Sequence, residues 1–470
     1  MQNSKLILLL GSLNEGELSR LETFLASGYF NQDPDVSRLF AVLSSYHPDF
    51  SSGELTKKRV FRLLFPGEVY QDKQLRYLMS RLNKLAEEFL AIRNLEDRPY
   101  QYQLSLLEEL SRRGLEKSYR QIDRLLARDL KDRKGDGGAY FLAQFQWAEI
   151  KEQHFERKRI RQFDENIQIA SARLDRYYFL NRLRHSCAML DRQTILQAHY
   201  ELNLSPEWLR HLEGQHFFNE PIIHLYYTIY QALSDEKEEA YFEKLKEGIG
   251  KESGRIPFND LREIYLFTIN YCARKIRQGK TDYVEEALNF YRIGIEKGIL
   301  IEDGILSPWA FTNVVKLSLR MKQYEEIEAF IAQYAPFLPE AFRENALHYN
   351  LAELYYYTDR YDEAQDQLLQ VAWSDLNYYL GARVLLAKIY YETEAEEPLL
   401  ALIASFTIFL KRNKELSNNL KHTYLNFCRL LFQIIRRPPS RLDAICNQIQ
   451  TTELLTDRSW LEKVCTEKMR

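Results

Sequence analysis

Four groups of residues have types and spacings that invite a chemical reading. His211-Leu212-Glu213-Gly214-Gln215-His216 brings two histidines to a glutamate. A helical zinc site needs its imidazoles four residues apart, on one face. Here they stand five apart, with Gly214 weakening the helix between them. Gly248-Ile249-Gly250-Lys251-Glu252 has the outline of a phosphate loop. Such a loop wants glycine where Leu245 stands, a hydroxyl where Glu252 stands and a strand before it, so a turn between helices is expected instead. The cysteines Cys187, Cys272, Cys428, Cys446 and Cys465 form no C-x-x-C pair, and buried reduced thiols are expected. No serine lies in a nucleophile-elbow pattern. These readings assign no catalytic residue, no metal ligand and no cofactor, and the chain is expected not to be an enzyme.

The fourth group is basic. Residues 54–84 carry about +5 and residues 111–185 about +7 within a chain of net charge −3. In the first stretch, Arg62-Leu63-Leu64-Phe65-Pro66 and Leu75-Arg76-Tyr77-Leu78-Met79-Ser80-Arg81-Leu82 resemble helices of the winged-helix domain of bacterial transcription activators. That resemblance implies a degenerate DNA-binding module with Lys73, Arg76, Arg81 and Lys84 on or beside a recognition helix. The residues themselves point elsewhere: a wing needs strands, and helical periodicity runs on through Leu85–Ile92. A small helical capping module is the expectation, with the transcription-regulator-like reading as its alternative. The second stretch, Arg157–Arg161 with Arg173, Arg176, Arg182 and Arg184, is expected to be a solvated face. Nucleic acid ranks as a lesser partner than protein.

The elements that must position these residues are helices. Gly (18) and Pro (13) are scarce while Tyr (31) and Phe (26) are abundant, which suits long helices with rings wedged between them. Leu75, Leu78, Leu82, Leu85 and Phe89 make one apolar stripe along a helix from Gln71 to Ile92. Pro99 closes this module. Gly135-Asp136-Gly137-Gly138 is the strongest linker signal, and Gly248, Gly250 and Gly254 mark a later break. Leu6–Leu10 is too short an apolar core for a leader peptide, and no run of about 18 apolar residues occurs, so a cytoplasmic protein without a membrane span is expected.

From about residue 259 the pattern repeats. Leu351-Ala352 with Tyr355, then Tyr361 and Ala364, returns as Leu386-Ala387 with Tyr390, 35 positions on. Tyr324-Glu325-Glu326-Ile327 precedes Tyr361 by 37, and Val284-Glu285-Glu286-Ala287 is a looser copy. These segments resemble the tetratricopeptide repeat, whose period is about 34 residues. The chain as a whole resembles helical-repeat proteins of bacteria, a likeness that brings no activity with it. The resemblance implies an all-α, irregular right-handed α-solenoid of tetratricopeptide-like helix pairs behind a helical N-terminal module. The expected divisions are 1–100 for that module, 101–258 for a hairpin region with a basic face, 259–415 for the repeats and 416–470 for capping helices.

By the same resemblance the inner helix of each pair lines a concave groove for another protein or peptide. Register places Trp309, Thr312, Lys316 and Arg320 there, then Tyr349, Glu353 and Tyr356, then Lys388 and Tyr391. Stacking between helices is expected to fall on Leu351, Ala352, Tyr355 and Ala364, leaving the groove tyrosines free to anchor a ligand. The chain is thus read as a protein–protein interaction scaffold or adaptor.

Overall fold

The computed structural model describes the chain apart from residues 99, 133–136, 160, 196–198, 235–238, 373–374, 415 and 470. Among the described residues, 23 α-helices account for 76% of the chain and strand for 1%. An average globular protein has ~30–35% helix and ~20–25% strand, so this is an all-α protein, as expected. Two compact units divide it, Met1–Asn181 and Arg182–Arg470, the boundary falling within the expected 101–258 segment.

In the N-terminal unit, α1 (Lys5–Gly11), α2 (Glu15–Ala26), α3 (Pro34–Ser44), α4 (Lys57–Leu64) and α5 (Asp72–Asp97) enclose one apolar cluster. The apolar run Leu6–Leu10 lies within α1, which buries Leu6, Ile7 and Leu10 there. Asn14 and Glu17 form a capping box that starts α2. The cap of α4 is Thr56, whose side chain accepts from the Arg59 amide. Pro99 lies outside the described residues. A second apolar cluster joins α6 (Gln101–Arg112), α7 (Glu116–Asp132) and α8 (Gly138–Arg157). Gly138 opens α8, whereas Gly135 and Asp136 of the expected linker lie outside the described residues. Helix α9 (Asn166–Ile195) runs across the unit boundary.

The C-terminal unit continues with α10 (Pro206–Glu213), α11 (Pro221–Ser234), α12 (Ala240–Glu252), α13 (Phe258–Arg277) and α14 (Tyr283–Glu296). The expected turn at Gly248–Lys251 is instead the last part of α12. The reason is steric: a Cβ at Gly248 would stand 2.8 Å from Leu225 Cδ2, so glycine lets α12 lie close on α11. A two-residue hairpin not foreseen in the sequence, β1 (Ile301–Glu302) with β2 (Ile305–Leu306), turns through left-handed Asp303 and Gly304.

Then come α15 (Pro308–Arg320), α16 (Tyr324–Tyr334), α17 (Glu340–Tyr357), α18 (Tyr361–Gln370), α19 (Leu376–Glu392) and α20 (Glu396–Arg412). Neighbours α15–α16, α17–α18 and α19–α20 pack as pairs, and α15, α17 and α19 also touch one another in order. Ala352, Ala364 and Ala387 are 0%, 0% and 3% exposed, at the crossings their small size permits. The three pairs also turn alike. Lys322, Asp359 and Glu394 are left-handed, at φ 58°, 57° and 56°. The next amide in each case donates five residues back, Gln323 to Ser318, Arg360 to Tyr355 and Ala395 to Tyr390. This helix-ending motif also closes α6 at Gly114 and α13 at Gly279, but in the three pairs it recurs at spacings of 37 and 35 residues that equal the sequence offsets.

The chain ends with α21 (Asn418–Arg436), α22 (Leu442–Thr451) and α23 (Arg458–Met469). Cys446 of α22 and Cys465 of α23 pair as a disulfide with Cα atoms 6.3 Å apart, which corrects the expectation of five reduced thiols. Sequence separation hid the pair, because antiparallel packing of two short helices brings residues 19 apart together. Cys187, Cys272 and Cys428 are buried free thiols. No described helix is long and apolar enough to cross a membrane.

Candidate functional site

Helices α15, α17 and α19 each present a stripe of side chains to a cleft of about 430 Å³. From α15 come Trp309, Thr312, Lys316 and Arg320, spaced by three and four residues along one face. From α17 come Tyr349, Glu353 and Tyr357, and from α19 Tyr378, Gly381, Leu385 and Lys388. Tyr424 of α21, with Thr456 and Asp457 just before α23, completes the wall.

Seven of the nine residues placed by register therefore share this cleft: Trp309, Thr312, Lys316, Arg320, Tyr349, Glu353 and Lys388. Tyr356 does not line it. The stripe of α17 advances in fours, through 349, 353 and 357, which puts Tyr357 at the position assigned to Tyr356. The Tyr356 ring packs near Tyr361 of α18, with Lys388 Nζ 4.8 Å from its centre. Tyr391 is also displaced, lying edge-on against Trp460 of α23 at 5.6 Å. Trp460 in turn donates from Nε1 to Glu392 at 3.0 Å. The sequence reading took 416–470 as caps alone and so missed that Tyr424, Asp457 and Trp460 fold back on α19.

The floor is buried and polar. Tyr349 is 7% exposed and donates its hydroxyl to Glu353 Oε1 at 2.6 Å. Burial raises its phenol well above the usual range, and the Glu353 carboxylate adds to this, so it stays a neutral donor. Its ring lies 5.5 Å from that of Tyr378. It also lies so close to Gly381 that a Cβ there would stand 2.9 Å from both its Cε2 and its hydroxyl oxygen. The expectation that groove tyrosines carry little packing is thus corrected at Tyr349, which fills the α17–α19 crossing. Tyr378 and Thr312 share a hydroxyl–hydroxyl bond of 3.0 Å, and Asn350 Nδ2 donates to Thr312 at 3.2 Å. Asn350 is fully buried, and its Oδ1 has no hydrogen-bond partner among the described residues.

Charge is treated differently at the two ends. Lys388, 7% exposed, donates to Asp457 Oδ1 at 3.0 Å. Burial alone would lower its pKa, but the Asp457 carboxylate more than offsets that, and the amine is held above its ordinary value. At the other end Lys316 and Arg320 are exposed, and neither meets a carboxylate within ion-pair distance among the described residues. Lys316 Nζ stands 5.7 Å from the centre of the Tyr349 ring, and Trp309 beside them is 62% exposed.

A second constellation, in the N-terminal unit, was invisible in the sequence because its members are about 40 residues apart. Ser111 Oγ lies 2.8 Å from His154 Nδ1, and His154 Nε2 lies 3.1 Å from Glu116 Oε2. Serine, imidazole and carboxylate in that order have the connectivity of a hydrolytic triad. Here, however, Ser111 is 4% exposed, Arg157 Nη1 donates to its Oγ at 2.9 Å, and Tyr119 stacks on the imidazole at 3.7 Å. A carbonyl has no approach to that oxygen in this arrangement. The network ties together α6, α7 and α8.

His211 sits in the last turn of α10 and His216 beyond Gly214, both exposed. On α5, Lys73, Arg76, Arg81 and Lys84 are exposed, with Arg76 paired to Asp72 at 2.8 Å. No strand follows α5 among the described residues of the N-terminal unit. Protein-family models, curated proteins and solved structures were compared with the chain, and none matches it.

Proposed function

We propose that the chain is a non-enzymatic binding scaffold or adaptor, its α13–α20 region a tetratricopeptide-like array that holds a segment of another protein in the α15–α17–α19 cleft. The recurrence of the turn motif at 37 and 35 residues, the same offsets as the sequence pattern, supports the repeat reading. The observation that carries the functional reading is the asymmetry of the cleft. Lys388 is neutralised by Asp457 from within the chain, while Lys316 and Arg320 beside the exposed Trp309 are left for an incoming partner. Exposed cations next to an indole ring fit an acidic peptide with an apolar or aromatic side chain, because the ring supplies area and the cations supply orientation.

Selection of a random displayed-peptide library on the full chain, followed by calorimetry with the selected peptide, tests this. Acidic peptides should emerge, and Lys316→Glu/Arg320→Glu should weaken the selected one by at least ~10-fold, the loss of a well-placed ionic anchor. Peptides of no common charge, or affinity untouched by Lys316→Glu/Arg320→Glu and by Trp309→Ala, would remove the cleft from consideration.

A further inference from the structure

Helix α7 separates its charges by face. The three acids whose side chains are described, Glu116, Asp123 and Asp129, are bonded to groups of the neighbouring helices, and two of them also meet Arg120 and Arg128 of α7 itself. Glu116 takes bonds from Lys158 and Arg120 and contacts His154, and these cations hold its carboxyl down at about 2. Asp123 accepts from Trp147 Nε1 at 2.7 Å, and Asp129 from Gln103 at 2.7 Å. Tyr119, Leu126 and Leu130 are buried on that side too. The cations are on the other side: Lys117, Arg120, Arg124, Arg128 and Lys131 are all exposed. Their spacings of three, four, four and three residues follow the helical repeat, so they form one stripe of roughly 21 Å at 1.5 Å per residue. Lys117 and Arg124 have no carboxylate within ion-pair distance among the described residues. The exposed Lys158 at the end of α8 extends the stripe past the first turn of α7, which it reaches through Glu116.

We propose that this face of α7 is a docking track for the phosphate backbone of a duplex nucleic acid, bound without regard to base sequence. The chemistry of the stripe selects that occupant. A protein partner would be met by an apolar or aromatic centre with charge at its rim. Here the centre is charged, with only Gln121 and the half-buried Leu125 between the cations. A single strand would need exposed rings on which bases stack, and the one ring of α7, Tyr119, is buried. What remains is a row of flexible cations on a rigid rod, the composition of a phosphate contact. The inference is independent of the cleft in the C-terminal unit and of the missing wing after α5.

The test is fluorescence anisotropy of the full chain with two 20-base-pair duplexes of unrelated sequence, over a salt series. Affinity should be equal for the two duplexes. The logarithm of the association constant should fall with log salt at a slope of about −4.5 for the five cations, since each neutralised phosphate contributes roughly −0.9. Lys117→Glu/Arg124→Glu/Arg128→Glu should lose binding by more than ~10-fold and flatten the slope by about 3. Lys297→Glu/Lys322→Glu/Lys411→Glu, on exposed cations of the C-terminal unit, should change neither. Should the α7 reversal reduce helicity by circular dichroism, Lys117→Gln/Arg124→Gln/Arg128→Gln gives the same comparison without introduced acids. No duplex binding at low salt, binding indifferent to the α7 substitutions, or stronger competition by polyglutamate than by duplex would each overturn the proposal, the last in favour of an acidic protein.

Discussion

In the cleft of the C-terminal unit, Lys388 is withdrawn from water and held by Asp457. On α7 of the N-terminal unit, five cations stand in solvent while Glu116, Asp123 and Asp129 of the same helix are bound to its neighbours. In the first case the fold depends on the charge, because a buried ammonium needs its counterion. In the second the fold is nearly indifferent to it, because exposed ion pairs are worth ~0–1 kcal/mol. Charges that the fold does not need are the ones free to serve a partner. By that criterion Lys316 and Arg320 belong with the α7 stripe, although they sit in the same cleft as Lys388.

The comparison can be broken most directly where packing is tightest. Ala352→Arg or Ala387→Arg should cost ~4 kcal/mol or more, since each forces a guanidinium into a buried helix crossing. Chemical denaturation showing either variant as stable as the parent would mean that the helix pairs are misplaced. Next, Asp457→Ala should cost about 3 kcal/mol by leaving Lys388 buried without a partner. The double change Lys388→Met/Asp457→Leu should recover most of that loss. An additive double variant would show that the pair is not an energetic unit. Gly381→Ala should cost ~1–3 kcal/mol, because its methyl meets the Tyr349 ring, itself held by Glu353 and Tyr378.

A pH series sharpens the contrast in the N-terminal unit. Burial, the largest influence, and the nearby Lys158 lower the pKa of His154, while Glu116 acts the other way and only partly compensates. The folded chain thus binds fewer protons at this site than the unfolded chain. The stabilisation is complete above the unfolded value of about 6.5 and is lost as pH falls. Melting temperature should drop between about pH 7.5 and 5.5 more steeply in the parent than in His154→Gln, and parallel curves would contradict this. The smallest expected effect is on stability at the exposed cations. Arg124→Glu and Lys316→Glu should each stay within about 0.5 kcal/mol of the parent, whatever they do to binding.

Local periodicity accounts for what could be read in the sequence. The apolar stripe of α5 and the small residues at Ala352, Ala364 and Ala387 follow from helical spacing, and so do the four α15 residues of the cleft. What escaped was set by contacts distant along the chain. Asp457 and Trp460 reach positions nearly 70 residues earlier, and Ser111 meets His154 across 43. Tyr356 and Tyr357 could not be told apart from spacing, because i+7 and i+8 both continue a stripe through 349 and 353. Gly248 looked like a break, since composition does not distinguish a glycine that turns from one that admits Leu225. The charge division on α7 was present in its spacing, but counting net charge over residues 111–185 averaged it away.

The return of the C-terminal segment onto α19 gives the cleft a polarity. Asp457 and Trp460 cover Lys388 and Tyr391, while Trp309 faces solvent at the opposite stripe. A segment held there on the proposed reading can run on past Trp309 but meets the chain itself at Asp457. On that reading the cleft would measure its ligand from one side: residues added past Trp309 should cost nothing, and residues added toward Asp457 should weaken binding.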